Sequence, residues 1–314
     1  MRCLFAGTPA VALPALQALL ESQHEVIGVI TRPPAPAGRG RVLTESPVEM
    51  RARAAGLAVL TPRRLADPEV ISEITELAPD VCPVVAYGGL VPTPLLAVPA
   101  HGWVNLHFSV LPAFRGAAPV PWAIRSGERE TGASVFRIDE GLDTGPVLGQ
   151  LRTPIGDRDT AGDLLDRLAA LGADLLVEAL DAMAAGTSIA VPQPTNGASL
   201  APRLTATDAR VDWHAPGEVI DRLVRAMSPA PGAWTVVAGS GPEDVRRITI
   251  GPVTPLAGYS LEPGVVMRVD DEVRVGTSGS AVLLGNVRPA GKRFMPAADW
   301  LRGRPSGAEP VRFA

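Results

Sequence analysis

Lysine is almost absent from this chain: Lys292 is the only one among 29 basic residues in 314. The glycine-containing stretch Phe5-Ala6-Gly7-Thr8-Pro9 therefore has no lysine to complete a Walker-type phosphate loop, and it lacks the G-x-G-x-x-G spacing of a dinucleotide fingerprint. Cysteine is scarce too. Cys3 and Cys82 both fall in apolar, strand-like runs and read as buried, inert thiols. With the scattered His24, His101, His107 and His214 they give no recognised ligand spacing, so no metal is expected. Long apolar runs are missing as well. Met1–Leu20 is apolar but broken by Gly7, Pro9 and Pro14, which predicts a strand, a turn and a helix, with no membrane span and a cytoplasmic location. Nor is there an excess of positive charge. The net charge of −4 excludes a general nucleic-acid binder by composition.

The rest of the pattern is that of a soluble α/β protein. Short apolar runs at Cys3–Ala6, Val26–Thr31, Val81–Ala86, Trp103–His107 and Ser134–Ile138 alternate with helical stretches at Ala12–Glu21, Pro47–Ala55, Pro68–Leu77 and Pro119–Ser126. Such alternation predicts a twisted, largely parallel sheet of Rossmann-like architecture with helices on both faces. Pro83 fits this poorly, because proline removes a ladder donor. Leu164, Leu165, Leu168, Leu171, Leu175, Leu176 and Leu180 recur at helical spacing and predict one long packing helix over Thr160–Met183. A Pro-, Thr- and Gly-rich connector follows at 187–208, which separates a first domain, 1–186, from a second, 209–314. That second domain reads as a helix near Pro216–Met227 followed by short β runs, a small barrel. Residues 201–314 hold 14 basic and 12 acidic side chains against 15 and 21 in residues 1–200. The local balance permits a nucleic-acid-facing surface on the second domain.

Chemistry concentrates in V-N-L-H-F-S-V-L-P-A-F-R-G-A-A-P, Val104–Pro119, and in G-L-D-T-G, Gly141–Gly145. If Val104–His107 end a buried strand, Asn105 and His107 share one side at its carboxyl end, where open α/β sheets hold ligands. Asn105 offers an amide donor to a developing oxyanion. His107 donates when protonated, and a carboxylate at Asp143 favours that imidazolium and orients the ring. Taken singly, each residue is equally at home in structure: a satisfied histidine, a turn asparagine, an Asx-turn aspartate. Ser109 invites a hydrolase reading, but no G-x-S-x-G elbow surrounds it.

These two segments resemble the folate-dependent formyltransferases, whose pattern is N-x-H, S-L-L-P, R-G-A-x-P and a downstream G-x-D-T-G. The match is Asn105, His107, Ser109-Val110-Leu111-Pro112, Arg115–Pro119 and Asp143. Further landmarks, P-A-G-R-G-R at Pro36–Arg41, V-V-A-Y-G at Val84–Gly88, S-P-A-P-G-A-W at Ser228–Trp234 and R-P-A-G-K-R at Arg288–Arg293, are similar to the members that act on methionyl-tRNA. The resemblance spans nearly the whole chain. It implies catalysis by Asn105, His107 and Asp143 with the methionyl α-amino group as direct nucleophile. It also implies a folate site at Ala86, Tyr87, Gly88 and Ser109–Pro112, 10-formyltetrahydrofolate as co-substrate without a metal, and an OB-like second domain. Initiator methionyl-tRNA is the partner it implies, met by Arg39, Arg41, Lys292 and Arg293, and no protein partner is indicated. Phe108 departs from the family's usual Gly, and Pro121-Trp122 replace a more polar pair. Two other classes remain open at this point: formyl transfer to a sugar nucleotide or purine precursor, or hydrolysis of the donor; and a non-catalytic RNA-binding relative.

Overall fold

The computed structural model describes residues 1–37, 42–238, 245–303 and 311–314. The chain forms two compact units. One comprises Met1–Pro119, Glu130–Pro154 and Leu165–Ala201; the other comprises Val120–Arg129, Ile155–Leu164 and Pro202–Ala314.

In the first unit the elements run β1 (Arg2–Gly7), α1 (Leu13–Glu21), β2 (Glu25–Ile30), a small hairpin of β3 (Ala35–Ala37) and β4 (Val42–Thr44), α2 (Pro47–Ala54), β5 (Val59–Leu60) and α3 (Pro68–Leu77). They continue with β6 (Cys82–Val85), α4 (Thr93–Leu96) and β7 (Trp103–His107) and, after α5 (Pro119–Ser126), which belongs to the second unit from Val120 on, with β8 (Glu130–Arg137), β9 (Val147–Pro154) and α6 (Ala161–Ala184), the last crossing from one unit to the other. Seven strands make one sheet in the order β5-β2-β1-β6-β7-β8-β9. The first five are parallel; β8 runs antiparallel to β7, and β9 antiparallel to β8. After β1 the chain moves outward to β2 and β5, then returns to the other side of β1 for β6. That reversal opens a crevice above the carboxyl ends of β1 and β6, where ligands bind in such sheets.

Local chemistry explains these elements. Before α2, Ser46 accepts the Glu49 amide N–H at 3.0 Å and Pro47 occupies the first turn, both signals that start a helix. Trp103 is fully buried and its indole N–H donates to the Leu95 carbonyl at 2.6 Å, so the ring fills the core without stranding its one polar atom. Pro83 does lie in a central strand. The amide it lacks falls where the β1 ladder is already interrupted, between the pairings Cys3–Val81 and Ala6–Val84. Cys3 and Cys82 are buried, and burial pushes the Cys3 thiol up to about 12 and the Cys82 thiol well above its ordinary value.

The second unit is helix plus antiparallel sheet, as the strand pattern predicts. It holds α7 (Gly217–Ala226), β10 (Trp234–Ala238), β11 (Val245–Ile250), β12 (Val253–Leu256), β13 (Val266–Val269), β14 (Glu272–Thr277), β15 (Ser280–Leu284), β16 (Asn286–Pro289), β17 (Met295–Pro296) and α8 (Ala297–Arg302). Two four-stranded sheets, β10-β11-β16-β17 and β12-β15-β14-β13, enclose a core that includes Trp213, Ile220, Val275, Val287 and Phe313. No helix among the described residues is long and apolar enough to cross a membrane.

Candidate active site

The crevice holds a cavity of about 980 Å³. Asn105, His107 and Asp143 all line it. Asn105 pairs in register with Val84 of β6 and Phe136 of β8, which fixes it in mid-sheet, and His107 ends the same strand two residues on, on the same face. The imidazole is buried and packs edge-on against Phe136, with ring centroids 6.4 Å apart at 85°.

His107 Nε2 lies 2.9 Å from the Phe114 carbonyl oxygen. A carbonyl only accepts, so Nε2 carries the proton and the lone pair of the neutral ring sits on Nδ1. Nδ1 is 3.8 Å from Asp143 Oδ2, close enough for a strong electrostatic effect and too far for a hydrogen bond. Burial holds the His107 pKa below its ordinary value of 6.5, against the opposing pull of Asp143 and of the Phe114 carbonyl. Asp143 does favour the imidazolium, as the sequence predicts, but desolvation is the larger effect, and the resting ring at neutral pH is neutral.

Asp143 sits at φ 51°, a left-handed conformation that aspartate tolerates better than most residues. Its Oδ2 accepts the Gly116 amide N–H at 2.7 Å, which ties the Asp143 loop to the Arg115–Pro119 loop. Gly116 has φ 119°, and a Cβ there would lie 2.8 Å from the Ala201 carbonyl oxygen, so only glycine presents that N–H. Gly145 is just as constrained, since a Cβ would meet the Arg137 carbonyl oxygen at 1.8 Å.

Of the other residues singled out from sequence, Ala86, Tyr87 and Gly88 line the cavity, as does Phe108. Ser109–Pro112 do not line it; they form the turn behind His107. There the Ser109 hydroxyl donates to the Ala113 carbonyl at 2.6 Å, and Ser134 Oγ, itself donating to the Ser109 carbonyl, accepts the Leu111 N–H at 3.0 Å. Lys292 and Arg293 are exposed at the turn after β16. Arg39 and Arg41 lie outside the described residues. Sequence reasoning passes over Arg63 and Arg64, which line the cavity beside Arg32; their only advance signal is an Arg-Arg pair just after a short strand.

A Rossmann-like sheet with an amide, an imidazole and a carboxylate converging at its carboxyl edge is an acyl-transfer architecture, and its family follows from the sequence match. The profile described as "Formyl transferase" fits residues 1–180 and that described as "Formyl transferase, C-terminal domain" fits residues 203–305; the chain belongs to the formyl transferase family. Its relatives include the methionyl-tRNA formyltransferase of Salinispora arenicola, 55% identical and covering 96% of this chain and 97% of that one, and that of Parafrankia sp., 54% identical over 98% and 99%. Among solved structures, an N-formyltransferase from Helicobacter canadensis, crystallised with folinic acid and dTDP-3-aminofucose, is 19% identical with a TM-score of 0.67, covering 90% of this chain and 98% of that one. HypX from Aquifex aeolicus in complex with tetrahydrofolic acid is 21% identical with a TM-score of 0.66, covering all of this chain and 50% of the other. At those identities the likeness shows the fold alone.

Proposed function

We propose that this protein transfers the formyl group of 10-formyltetrahydrofolate to the α-amino group of initiator methionyl-tRNA, in the cytoplasm. The observation that supports this reading most is the meeting of Asn105, His107 and Asp143 on one cavity in a chain more than half identical, over nearly its whole length, to methionyl-tRNA formyltransferases. The cavity also suits the donor. Its volume lies in the range of small-molecule sites, and Val91, Leu96, Phe108 and Ile138 give it apolar walls for a flat heteroaromatic ring.

When bound, the folate supplies the formyl carbon and a leaving nitrogen that needs a proton. Asn105 donates its amide N–H to the formyl oxygen as that oxygen gains negative charge. The lone pair on His107 Nδ1 takes the proton that the attacking amine loses as the new C–N bond forms. Asp143 stabilises the imidazolium so produced, and His107 then returns the proton to the leaving nitrogen as the old C–N bond breaks. The protein enters no covalent intermediate. Residues 1–186 carry this chemistry, 187–208 connect, and 209–314 meet the tRNA, with Lys292, Arg293, Arg39 and Arg41 contacting its phosphates or unpaired end.

The test is formylation of charged initiator methionyl-tRNA by the purified protein with 10-formyltetrahydrofolate. Uncharged tRNA, elongator methionyl-tRNA, an amino-sugar nucleotide and water serve as competing acceptors. Preferential turnover of the initiator species supports the proposal; turnover only with water or the sugar nucleotide, or none, refutes it.

A further inference from the structure

The segment that composition marks as a connector is bonded to the catalytic loops along much of its length. Val191 exchanges two backbone hydrogen bonds with Val147, both 2.8 Å. Ser199 accepts the Phe114 N–H through its hydroxyl and the Arg115 N–H through its carbonyl, each at 2.9 Å, and Ala201 donates to the Arg115 carbonyl at 2.6 Å. Between these anchors stands Gln193. Its Oε1 accepts both Nε and Nη2 of Arg115, at 3.1 and 2.6 Å, and its Nε2 donates to the carbonyls of Asp143 and Gly145, at 2.9 and 2.8 Å.

We propose that Gln193, held by Arg115, is a positioning residue for formyl transfer that sets the distance from the Asp143 carboxylate to His107. This rests on the reading above that Asp143 acts through His107. Arg115 has donors only, so it fixes which end of the Gln193 amide faces it and turns both N–H bonds toward the Asp143 loop. Those bonds land on either side of Thr144, in a loop whose Asp143 lies in the left-handed region and needs outside restraint to stay there. The Gly116 N–H holds the carboxylate; Gln193 holds the backbone that carries it. Glutamate would offer no donors to the two carbonyls, and an apolar side chain would satisfy neither end. The arginine of the R-G-A-A-P motif thereby acquires a function: it aligns the residue that places the carboxylate, rather than meeting a substrate.

The test uses the full-length enzyme with Gln193→Met, which keeps the side-chain volume and removes every hydrogen bond. Turnover of methionyl-tRNA should fall roughly 10–100-fold, while KM for donor and tRNA change less than about threefold. Because Asp143 raises the His107 pKa, its displacement should move the acid limb of the pH–rate profile to lower pH, in the same direction expected for Asp143→Asn; a purely structural defect would lower Tm without moving that limb. Gln193→Glu keeps the Arg115 contact and loses both donors, so it decides the matter if the Met variant does not fold, and its turnover should fall likewise. Wild-type turnover in a folded variant of either kind, or an unmoved acid limb in a folded Gln193→Met, overturns the proposal. If Asp143→Asn is itself fully active, the reading of the site falls and takes this inference with it; if Asp143→Asn is impaired and Gln193→Met is not, only the positioning role fails.

Discussion

Replacing Gly145 by alanine should disable the site without disrupting the fold. The added Cβ would lie 1.8 Å from the Arg137 carbonyl oxygen, whereas carbon–oxygen contacts close to no less than about 3.3 Å. Something must therefore move by about 1.5 Å. Arg137 is the less able to yield, since it ends β8, pairs with Val104 of β7 and donates its N–H to the Pro146 carbonyl at 3.0 Å. The loop will shift instead, and with it Asp143, whose carbonyl shares the Gln193 amide with that of Gly145. A misplacement of about 1 Å costs on the order of 10² in rate, equivalent to about 2.7 kcal/mol of transition-state stabilisation. Overpacking should take a further 1–3 kcal/mol or so from stability. Single-turnover formylation of methionyl-tRNA measures the first, and urea denaturation the second. Gly56→Ala is the control: φ is 72° there with nothing within 4 Å, so it should cost about 1–2 kcal/mol of stability and no activity. Gly145→Ala with turnover within about threefold of wild type would refute the claim that this loop sets the reacting geometry.

Asn105→Ala should lower turnover by roughly 10²–10³ while leaving tRNA affinity unchanged, the loss expected for one oxyanion donor; near-normal turnover removes Asn105 from the mechanism. Stability should decline on mild acidification. His107 and His24 are both buried, and burial is the first cause of the lowered pKa in each, so below about pH 6.5 the unfolded chain binds more protons than the folded one. Each contribution is complete above that pH and is lost as pH falls toward the folded value, at up to about 1.4 kcal/mol per pH unit for each histidine. Denaturation at stepped pH values should show this slope, reduced in His107→Gln; an equal slope in the variant contradicts a neutral resting ring. Replacing Lys292 and Arg293 by alanine should raise KM for tRNA and flatten the salt dependence of binding by about one slope unit for each phosphate no longer neutralised, with donor binding untouched. An unaltered salt slope would assign that turn to solvent.

Sequence conveyed the frame well and the restraints poorly. Trp103–His107 is a strand end to end because its apolar residues alternate with a short polar pair, and Asn105 and His107 emerge on one face as that period requires. β9 escaped notice because Val-Leu-Gly-Gln-Leu-Arg-Thr-Pro mixes glycine and polar residues in a half-buried outer strand. The carboxylate beside His107 was legible from G-L-D-T-G, whereas the desolvation that outweighs it was not, since it comes from packing contributed by distant segments. Gln193 was invisible altogether. It stands between Pro192 and Pro194 in a stretch whose composition says linker, and its partners lie 48 to 78 residues away. Ser109–Pro112 show the converse: a motif marks a loop without saying which of its sides meets the cavity.

The two thiols have an experimental use unconnected with catalysis. Cys3 and Cys82 stand on the adjacent central strands β1 and β6, and burial raises the pKa of both thiols, which disfavours the reactive thiolate. A thiol reagent thus meets no exposed sulfur until the packing over the faces of the sheet opens. Alkylation kinetics in the unmodified protein consequently clock the opening of the core packed over its parallel sheet, and the difference in rate with and without a bound folate reports how far occupancy of the crevice holds that core closed.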